Sequence, residues 1–212
     1  MNIAGITTCV SEEYAGYLSN SLNIWLRTLD SLTIVTKPGD VATKFSKDTT
    51  VIETDVFGEY FNKGSALNVA FKAANPTDWV LSFDCDIVPP INWKDTVEMG
   101  AKKGHLNGAQ RFQDRRLIDS SKSWPKGYFQ LWHVSDTCYN RDKPFIEWCR
   151  HAGRYDYVFW ENWRTNCHNL DLKLVHQGNT GKNWWGEGTT PEQIQQAFNQ
   201  AGIDFHGPDG PK

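Results

Sequence analysis

The chain has 212 residues, and its 22 basic and 25 acidic side chains give a formal net charge of −3. This balance argues against a nucleic-acid-binding protein, which carries a strong basic excess. No apolar run reaches the ~18–20 residues of a membrane-spanning helix, and the N-terminal segment lacks the features of a signal peptide. Five cysteines without a Cys-x-x-Cys pair indicate free thiols in a reducing, cytoplasmic environment.

Strand and helix patterns alternate in the first half of the sequence. Short β-branched or apolar runs predict four strands, at residues 3–10, 32–36, 50–54 and 79–83. Apolar side chains spaced three and four apart predict two helices, over 14–29 and 64–75. The run at 79–83 is apolar on both faces, as expected for the middle of a parallel sheet.

This order of elements predicts an α/β fold that is Rossmann-like, with a mostly parallel central sheet flanked by helices. Ligands of such sheets bind outside the carboxyl ends of the strands. Four predicted strand ends therefore meet at one crevice, with Thr8, Thr36, Asp55 and the segment 84–86. The hydroxyl and carboxyl groups at these ends are candidates for binding a nucleoside, although each is equally suited to capping a turn.

The second half is less regular and holds seven of the ten tryptophans. Its patterns predict a helix at 93–103, strands at 128–134 and 172–176, a glycine-rich mobile loop at 177–190 and a helix that starts near 190. We find no repeat and no linker, so we expect a single domain.

Asp84 and Asp86 follow the apolar strand and are separated by one residue. Two carboxylates in one crevice raise each other's pKa unless a cation lies between them. Hard divalent cations prefer such oxygen ligands, so a metal site is one interpretation. The other is an acidic turn with one capping and one solvated aspartate.

The segment 84–88 also matches the nucleophile motif DxDx(T/V) of haloacid-dehalogenase phosphatases. That chemistry requires a downstream acidic pair to complete a magnesium site, and no such pair follows a predicted strand. Pro89 and Pro90 interrupt the expected loop, and a motif that usually opens its domain comes here after the first 83 residues. Because the motif matches but these other features do not, a phosphatase is the weaker alternative.

The sequence upstream of the two aspartates supports a different interpretation. A predicted helix begins there with the segment Phe61-Asn62-Lys63-Gly64-Ser65-Ala66-Leu67-Asn68. Together with a strand that ends in Asp-x-Asp, it resembles the GT-A group of nucleotide-sugar glycosyltransferases. The resemblance implies that one carboxylate grips a metal bound to a nucleotide diphosphate, and that the other positions the metal or the ribose. Lys63, near a helix start, would supply positive charge for the donor.

The segment 174–178, followed by Asn-Trp-Trp-Gly at 183–186, extends this resemblance toward the C-terminus. In that family, a strand-borne histidine completes the metal site and the next loop folds over the diphosphate. A nitrogen ligand beside carboxylates favours Mn²⁺ over Mg²⁺. The resemblance thus implies a metal at Asp84, Asp86 and His176, with Lys182 near the β-phosphate.

Residues 153–160 resemble the acidic helix start that supplies the base of inverting members of the group. Asp156 and Phe159 fit a loose form of that pattern, in which Tyr155 stands where a second acid is usual. Glu161 is the alternative base, and an N-cap is the structural alternative for Asp156. A base here implies inversion at the anomeric carbon, whereas a retaining enzyme would need none on the acceptor side.

The resemblance implies a UDP-sugar donor and a glycan or other hydroxyl compound as acceptor. Thr8, Thr36 and Asp55 are candidates for the uracil and ribose. Sugar rings pack on indole rings, so the aromatic half is the expected acceptor side, although a core position is the alternative for each tryptophan. The acceptor candidates are Gln130, Trp132 and Trp184.

We therefore expect one GT-A domain over residues 1–206, with the nucleotide sugar bound by 1–90, the acceptor and a lid in 91–206, and a flexible tail at 207–212. Two further alternatives are a non-catalytic carbohydrate-binding module on this fold and a sugar nucleotidyltransferase. The latter expects a glycine-rich, basic loop after the first strand, where this chain has the acidic residues Glu12 and Glu13.

Overall fold

A computed structural model of the protein describes residues 1–57, 62–113, 116–119, 125–147 and 152–177. The strands are β1 (Ile3–Thr8), β2 (Ser31–Thr36), β3 (Thr50–Glu53), β4 (Trp79–Phe83), β5 (Ile87–Val88), β6 (Leu106–Gln113), β7 (Arg116–Asp119), β8 (Phe129–His133) and β9 (Cys167–His176). The α-helices are α1 (Glu12–Leu26), α2 (Lys63–Ala74), α3 (Trp93–Gly100) and α4 (Ala152–Glu161). Two 3-10 helices span Val41–Lys47 and Asp55–Phe57.

All of these strands belong to one sheet, in the order β3-β2-β1-β4-β8-β6-β9-β5, with β7 paired to β6. The strands β3, β2, β1 and β4 are parallel, while β8 is antiparallel to both β4 and β6. Since β9 is parallel to β6, six of the nine described strands run in one direction. The predicted α/β fold with a mostly parallel, Rossmann-like sheet is confirmed.

Helices cover both faces of the sheet, as in a doubly wound fold. On one face α1 and α3 pack a core around Trp25, whose ring stacks on Phe83 with centroids 4.1 Å apart. On the other face α2 and α4 enclose an aromatic cluster centred on Trp132, which contacts Phe71, Tyr139, Phe145, Phe159 and Trp163. Much of the aromatic content therefore builds the core.

The predicted elements of the first half agree with the structure to within a few residues, whereas β5, β6 and β7 were not predicted. β6 begins Leu-Asn-Gly-Ala-Gln, which has neither an apolar run nor clean alternation. Asn107 is nevertheless fully buried, because its side-chain amide donates to the carbonyl oxygens of Lys102, His105 and Leu131. No helix in the described part of the chain is long and apolar enough to span a membrane.

Candidate active site

The carboxyl ends of β1, β2, β4, β6 and β9 lie at the same edge of the sheet, because these strands run in one direction. The antiparallel strands β5 and β8 begin at that edge. The α2 helix also begins there, since it follows β3. The edge thus brings together side chains from the 62–63, 84–86, 127–130 and 176–177 regions of the sequence.

Lys63 and Asp84 form an ion pair at this edge. The Lys63 ammonium is nearly buried and lies 4.7 Å from the centre of the Tyr155 ring. Burial opposes its charge, but attraction to Asp84, Asp156 and Asp86 is stronger in sum and raises the Lys63 pKa. Lys63 therefore remains a cation that faces three carboxylates.

The segment that carries Lys63 is fixed by its flanking asparagines. The Asn62 side chain accepts from the Ser65 N–H and donates to the carbonyl oxygen of Glu147 at 2.7 Å. Asn68 donates to the Phe145 carbonyl oxygen at 2.7 Å and accepts from its N–H at 2.9 Å. Between them Gly64 packs against the Ile146 backbone so closely that a Cβ would overlap it. Residues 62–68 thus connect the start of α2, through hydrogen bonds and close packing, to the segment 145–147 that precedes α4.

We expect Asn68→Ala to lower the free energy of unfolding by about 3 kcal/mol, because it leaves the buried N–H and carbonyl of Phe145 without partners, at about 1–3 kcal/mol each. Urea denaturation would measure the change. Asn23→Ala, at an exposed position of α1, is the matched control and should stay within about 0.5 kcal/mol of the wild type. Equal losses in both variants would contradict the bridging role.

Asp156 lies in α4 with its carboxyl group directly over Gly127, where a Cβ would overlap it. Its Oδ1 is buried without a hydrogen-bond partner in the described part of the protein. Burial raises the pKa of Asp156 to about 7, helped by the Asp84 carboxylate and opposed by Lys63. A carboxylate with a pKa near neutrality is suited to accepting a proton at physiological pH.

Gly127→Ala is expected to displace the Asp156 carboxyl group, since the two cannot occupy the same space. Catalysis that depends on this group should fall about 100-fold, the effect of a displacement of roughly 1 Å. Binding of a ligand at the Asp86–His176 pair should be unchanged, so kcat falls while Kd stays constant. Gly16→Ala is the control, because a Cβ there meets nothing within 4 Å; wild-type kcat in Gly127→Ala would contradict the placement.

Asp86 and His176 are brought together by the pairing of β5 with β9, in which Ile87 lies opposite His176. His176 Nε2 lies 3.2 Å from Asp86 Oδ2, and both side chains are largely buried. Gln177 holds this arrangement, since its N–H donates to the Asp86 carbonyl oxygen at 2.8 Å and its side chain bonds to Asn20 and to the Tyr17 carbonyl oxygen.

The polar atoms of Asp86 and His176 determine whether this pair could bind a metal ion. His176 Nε2 faces Asp86 Oδ2, and Asp86 Oδ1 is buried without a hydrogen-bond partner among the described residues. A carboxylate oxygen beside an imidazole nitrogen is a donor set that Mn²⁺ accepts. Asp84, the third predicted ligand, forms an ion pair with Lys63. No cluster of three or more His, Cys, Asp or Glu side chains with a metal-binding arrangement occurs in the described ranges.

The other predicted residues differ in their placement. Thr8 and Thr36 are buried at the strand ends, and Asp55 is exposed at the start of a 3-10 helix. Gln130 is fully buried, with its amide 3.2 Å from the Pro125 carbonyl oxygen. Trp132 has no exposed surface and occupies the core position that was its alternative, so we do not retain it for the acceptor. Outside the described residues lie Lys182, Trp184, the predicted 190–201 helix and the tail.

No protein-family model matches the sequence, and no curated protein matches it. Solved structures match it in fold. Glucosyl-3-phosphoglycerate synthase from Mycobacterium tuberculosis, in complex with phosphoglyceric acid, gives a TM-score of 0.58 at 12% identity over 97% of this chain and 82% of that chain. A complex of that enzyme with Mn²⁺, UDP and glucosyl-3-phosphoglycerate gives 0.57 at 13% identity with the same coverage.

A third match is 4-diphosphocytidyl-2C-methyl-D-erythritol synthase, with a TM-score of 0.52 at 12% identity over 92% of this chain and 95% of that chain. These similarities, together with the sheet order, define the fold of the chain. The chain has the GT-A fold, as its motifs predicted.

Proposed function

We propose that the protein is a metal-dependent glycosyltransferase that moves a sugar from a UDP-sugar to an acceptor hydroxyl. The observation that carries the proposal is the contact between Asp86 Oδ2 and His176 Nε2, beside the Lys63–Asp84 pair. Asp86 Oδ1 is buried and has no hydrogen-bond partner among the described residues. A metal ion held by this pair and a buried lysine, at the carboxyl edge of a mostly parallel sheet, would suit a nucleotide diphosphate. The similar structure that contains Mn²⁺ and UDP supports this class of donor.

Donor binding follows from the charges at the edge of the sheet. Asp86 and His176 would hold Mn²⁺ or Mg²⁺, which supplies Lewis-acid neutralisation of the leaving diphosphate. Lys63 adds a fixed positive charge at the N-terminus of α2, where the helix dipole also favours phosphate. Asp84 is positioned by Lys63 to accept hydrogen bonds from the ribose, while Thr8, Thr36 and Asp55 remain candidates for the nucleoside.

On the acceptor side, Asp156 takes the proton from the attacking hydroxyl, since its pKa near 7 matches this task. Attack by that hydroxyl on the anomeric carbon, from the face opposite the diphosphate, inverts the configuration there. Gln130, whose amide lies 3.5 Å from the Asp156 carbonyl oxygen, positions the base rather than the acceptor. The acceptor is a glycan or a small hydroxyl compound.

A sugar nucleotidyltransferase is the second candidate, because 4-diphosphocytidyl-2C-methyl-D-erythritol synthase shares the fold. Such an enzyme would bind a triphosphate after β1, where this chain places Glu12 and Glu13 in the first turn of α1. Two carboxylates at this position repel phosphate, so this candidate is the weaker one.

A panel of UDP-sugars tests the proposal through slow hydrolysis, in which water replaces the acceptor. We expect one UDP-sugar to release UDP in the presence of Mn²⁺ and not in the presence of EDTA. UDP-sugars that bind but are never hydrolysed would indicate a carbohydrate-binding module. Formation of a nucleotide sugar and pyrophosphate from a nucleoside triphosphate and a sugar phosphate would indicate the nucleotidyltransferase. Binding of neither class of nucleotide would contradict the proposal.

A further inference from the structure

A second buried cation lies near the crevice. Arg111, close to the carboxyl end of β6, is only 8% exposed, and its guanidinium carbon lies 4.8 Å from the centre of the Tyr128 ring. Its Nε is buried without a hydrogen-bond partner among the described residues. Arginine keeps its charge in proteins, so a buried N–H of this kind is costly until an acceptor oxygen binds it.

The surroundings of Arg111 keep its guanidinium in place without neutralising it. The hydroxyl group of Tyr128, on whose ring Arg111 stacks, donates to the Ala109 carbonyl oxygen at 2.7 Å. The backbone carbonyl oxygen of Tyr128 accepts from the Asp84 N–H at 3.3 Å. Arg111 attracts Asp84 electrostatically, but Asp84 forms its ion pair with Lys63. No carboxylate among the side chains that the structure describes forms an ion pair with Arg111.

The order of the strands places Arg111 between Asp156 and the metal-binding pair, because β6 lies between β8 and β9, and β9 ends at His176. β6 is joined to β4 through β8, so the two strands are about 10 Å apart at the spacing of neighbouring strands. Asp84 and Asp86 follow β4, whereas Gly127, which lies under Asp156, precedes β8. A ligand anchored at Arg111 would therefore lie between Asp156 on one side and the Asp86–His176 pair on the other.

We infer that Arg111 binds an oxyanion of the acceptor, so that the acceptor carries a phosphate or carboxylate group besides its reacting hydroxyl. This inference rests on the proposed function and specifies the substrate class. A guanidinium forms paired hydrogen bonds with either anion, and its stacking on Tyr128 reduces the entropy lost on binding. Lys63 and the metal-binding pair already serve the donor diphosphate, which leaves Arg111 for the second substrate.

The experiment is a titration with inorganic phosphate, followed by the NMR signal of the arginine Nε–H groups in ¹⁵N-labelled protein with Mg²⁺. The Arg111 signal is assigned by its loss in Arg111→Lys, and exposed Arg27 is the control within the molecule. We expect phosphate to shift the Arg111 signal saturably and to leave Arg27 unchanged. The shift should persist when the protein is saturated with UDP.

Two results would overturn the inference. Absence of a saturable shift at Arg111 would show that no oxyanion binds there, and loss of the shift on adding UDP would assign Arg111 to the donor diphosphate. The proposed function fails in a different way: the backbone signals of Asp86 and Gln177 would then not respond to UDP with Mg²⁺, whatever phosphate does at Arg111.

Discussion

Asp86→Ala is expected to abolish metal-dependent binding of UDP and to lower transfer about 1,000-fold or more. The variant loses the carboxylate that lies 3.2 Å from His176, and with it one of the two side chains proposed to hold the metal. Metal ions contribute several kcal/mol to stabilising charge in such transition states, and about 4 kcal/mol corresponds to that factor. Calorimetric titration with UDP, with Mn²⁺ and with EDTA, measures the binding.

The control for this variant is Asp95→Ala, at an exposed position of α3. It should bind UDP as the wild type does. Thermal unfolding of both variants should show that the sheet is intact, because the bond from the Gln177 N–H to residue 86 uses the backbone carbonyl. UDP binding by Asp86→Ala with an undiminished dependence on Mn²⁺ would refute the proposed metal site.

The first half of the fold was predictable because local patterns and the sheet agree there. β1 to β4 are apolar or β-branched runs, and α1 and α2 carry the apolar spacing that their burial requires. β6 was missed because its buried polar groups are stabilised by hydrogen bonds to distant segments, such as the bond from Asn107 to Leu131. Contacts of this kind leave no periodic signal in the sequence.

The candidate site was predictable where a residue follows a strand, and not where it depends on strand order. Asp84 and Asp86 were found because they follow β4, and His176 was found through a family motif. Gly127 and Arg111 were missed, because their positions near the crevice result from the insertion of β8 and β6 between β4 and β9. Trp132 was predicted at the acceptor side from the aromatic content of the second half, but it lies in the core. A buried core and a surface that binds sugar rings both use tryptophan, so the residue type does not distinguish them.

Asp156→Asn is expected to lower kcat about 1,000-fold, within the range for loss of a general base, while UDP binds with unchanged affinity. Asparagine fills the same space over Gly127 but accepts no proton from the acceptor. In the wild type, activity should rise with pH through about 7, as Asp156 becomes ionised. Glu161→Gln is the control; a large loss in that variant, with turnover retained in Asp156→Asn, would move the base to Glu161.

The ionisation of Asp156 should also be measurable through the pH dependence of the free energy of unfolding. Because the folded-state pKa of Asp156 is raised to about 7, between pH ~4 and ~7 the folded protein holds a proton that the unfolded chain has released. The contribution of Asp156 to stability is therefore largest below the unfolded pKa and is lost as the pH rises through about 7. Asp156→Asn lacks this titration, so its free energy of unfolding should fall less between pH ~5 and ~8 than that of the wild type. If the free energy of unfolding changed with pH equally in the two proteins, the pKa of Asp156 would not be raised. Asp156 would then lack the pKa near 7 that we propose for the base.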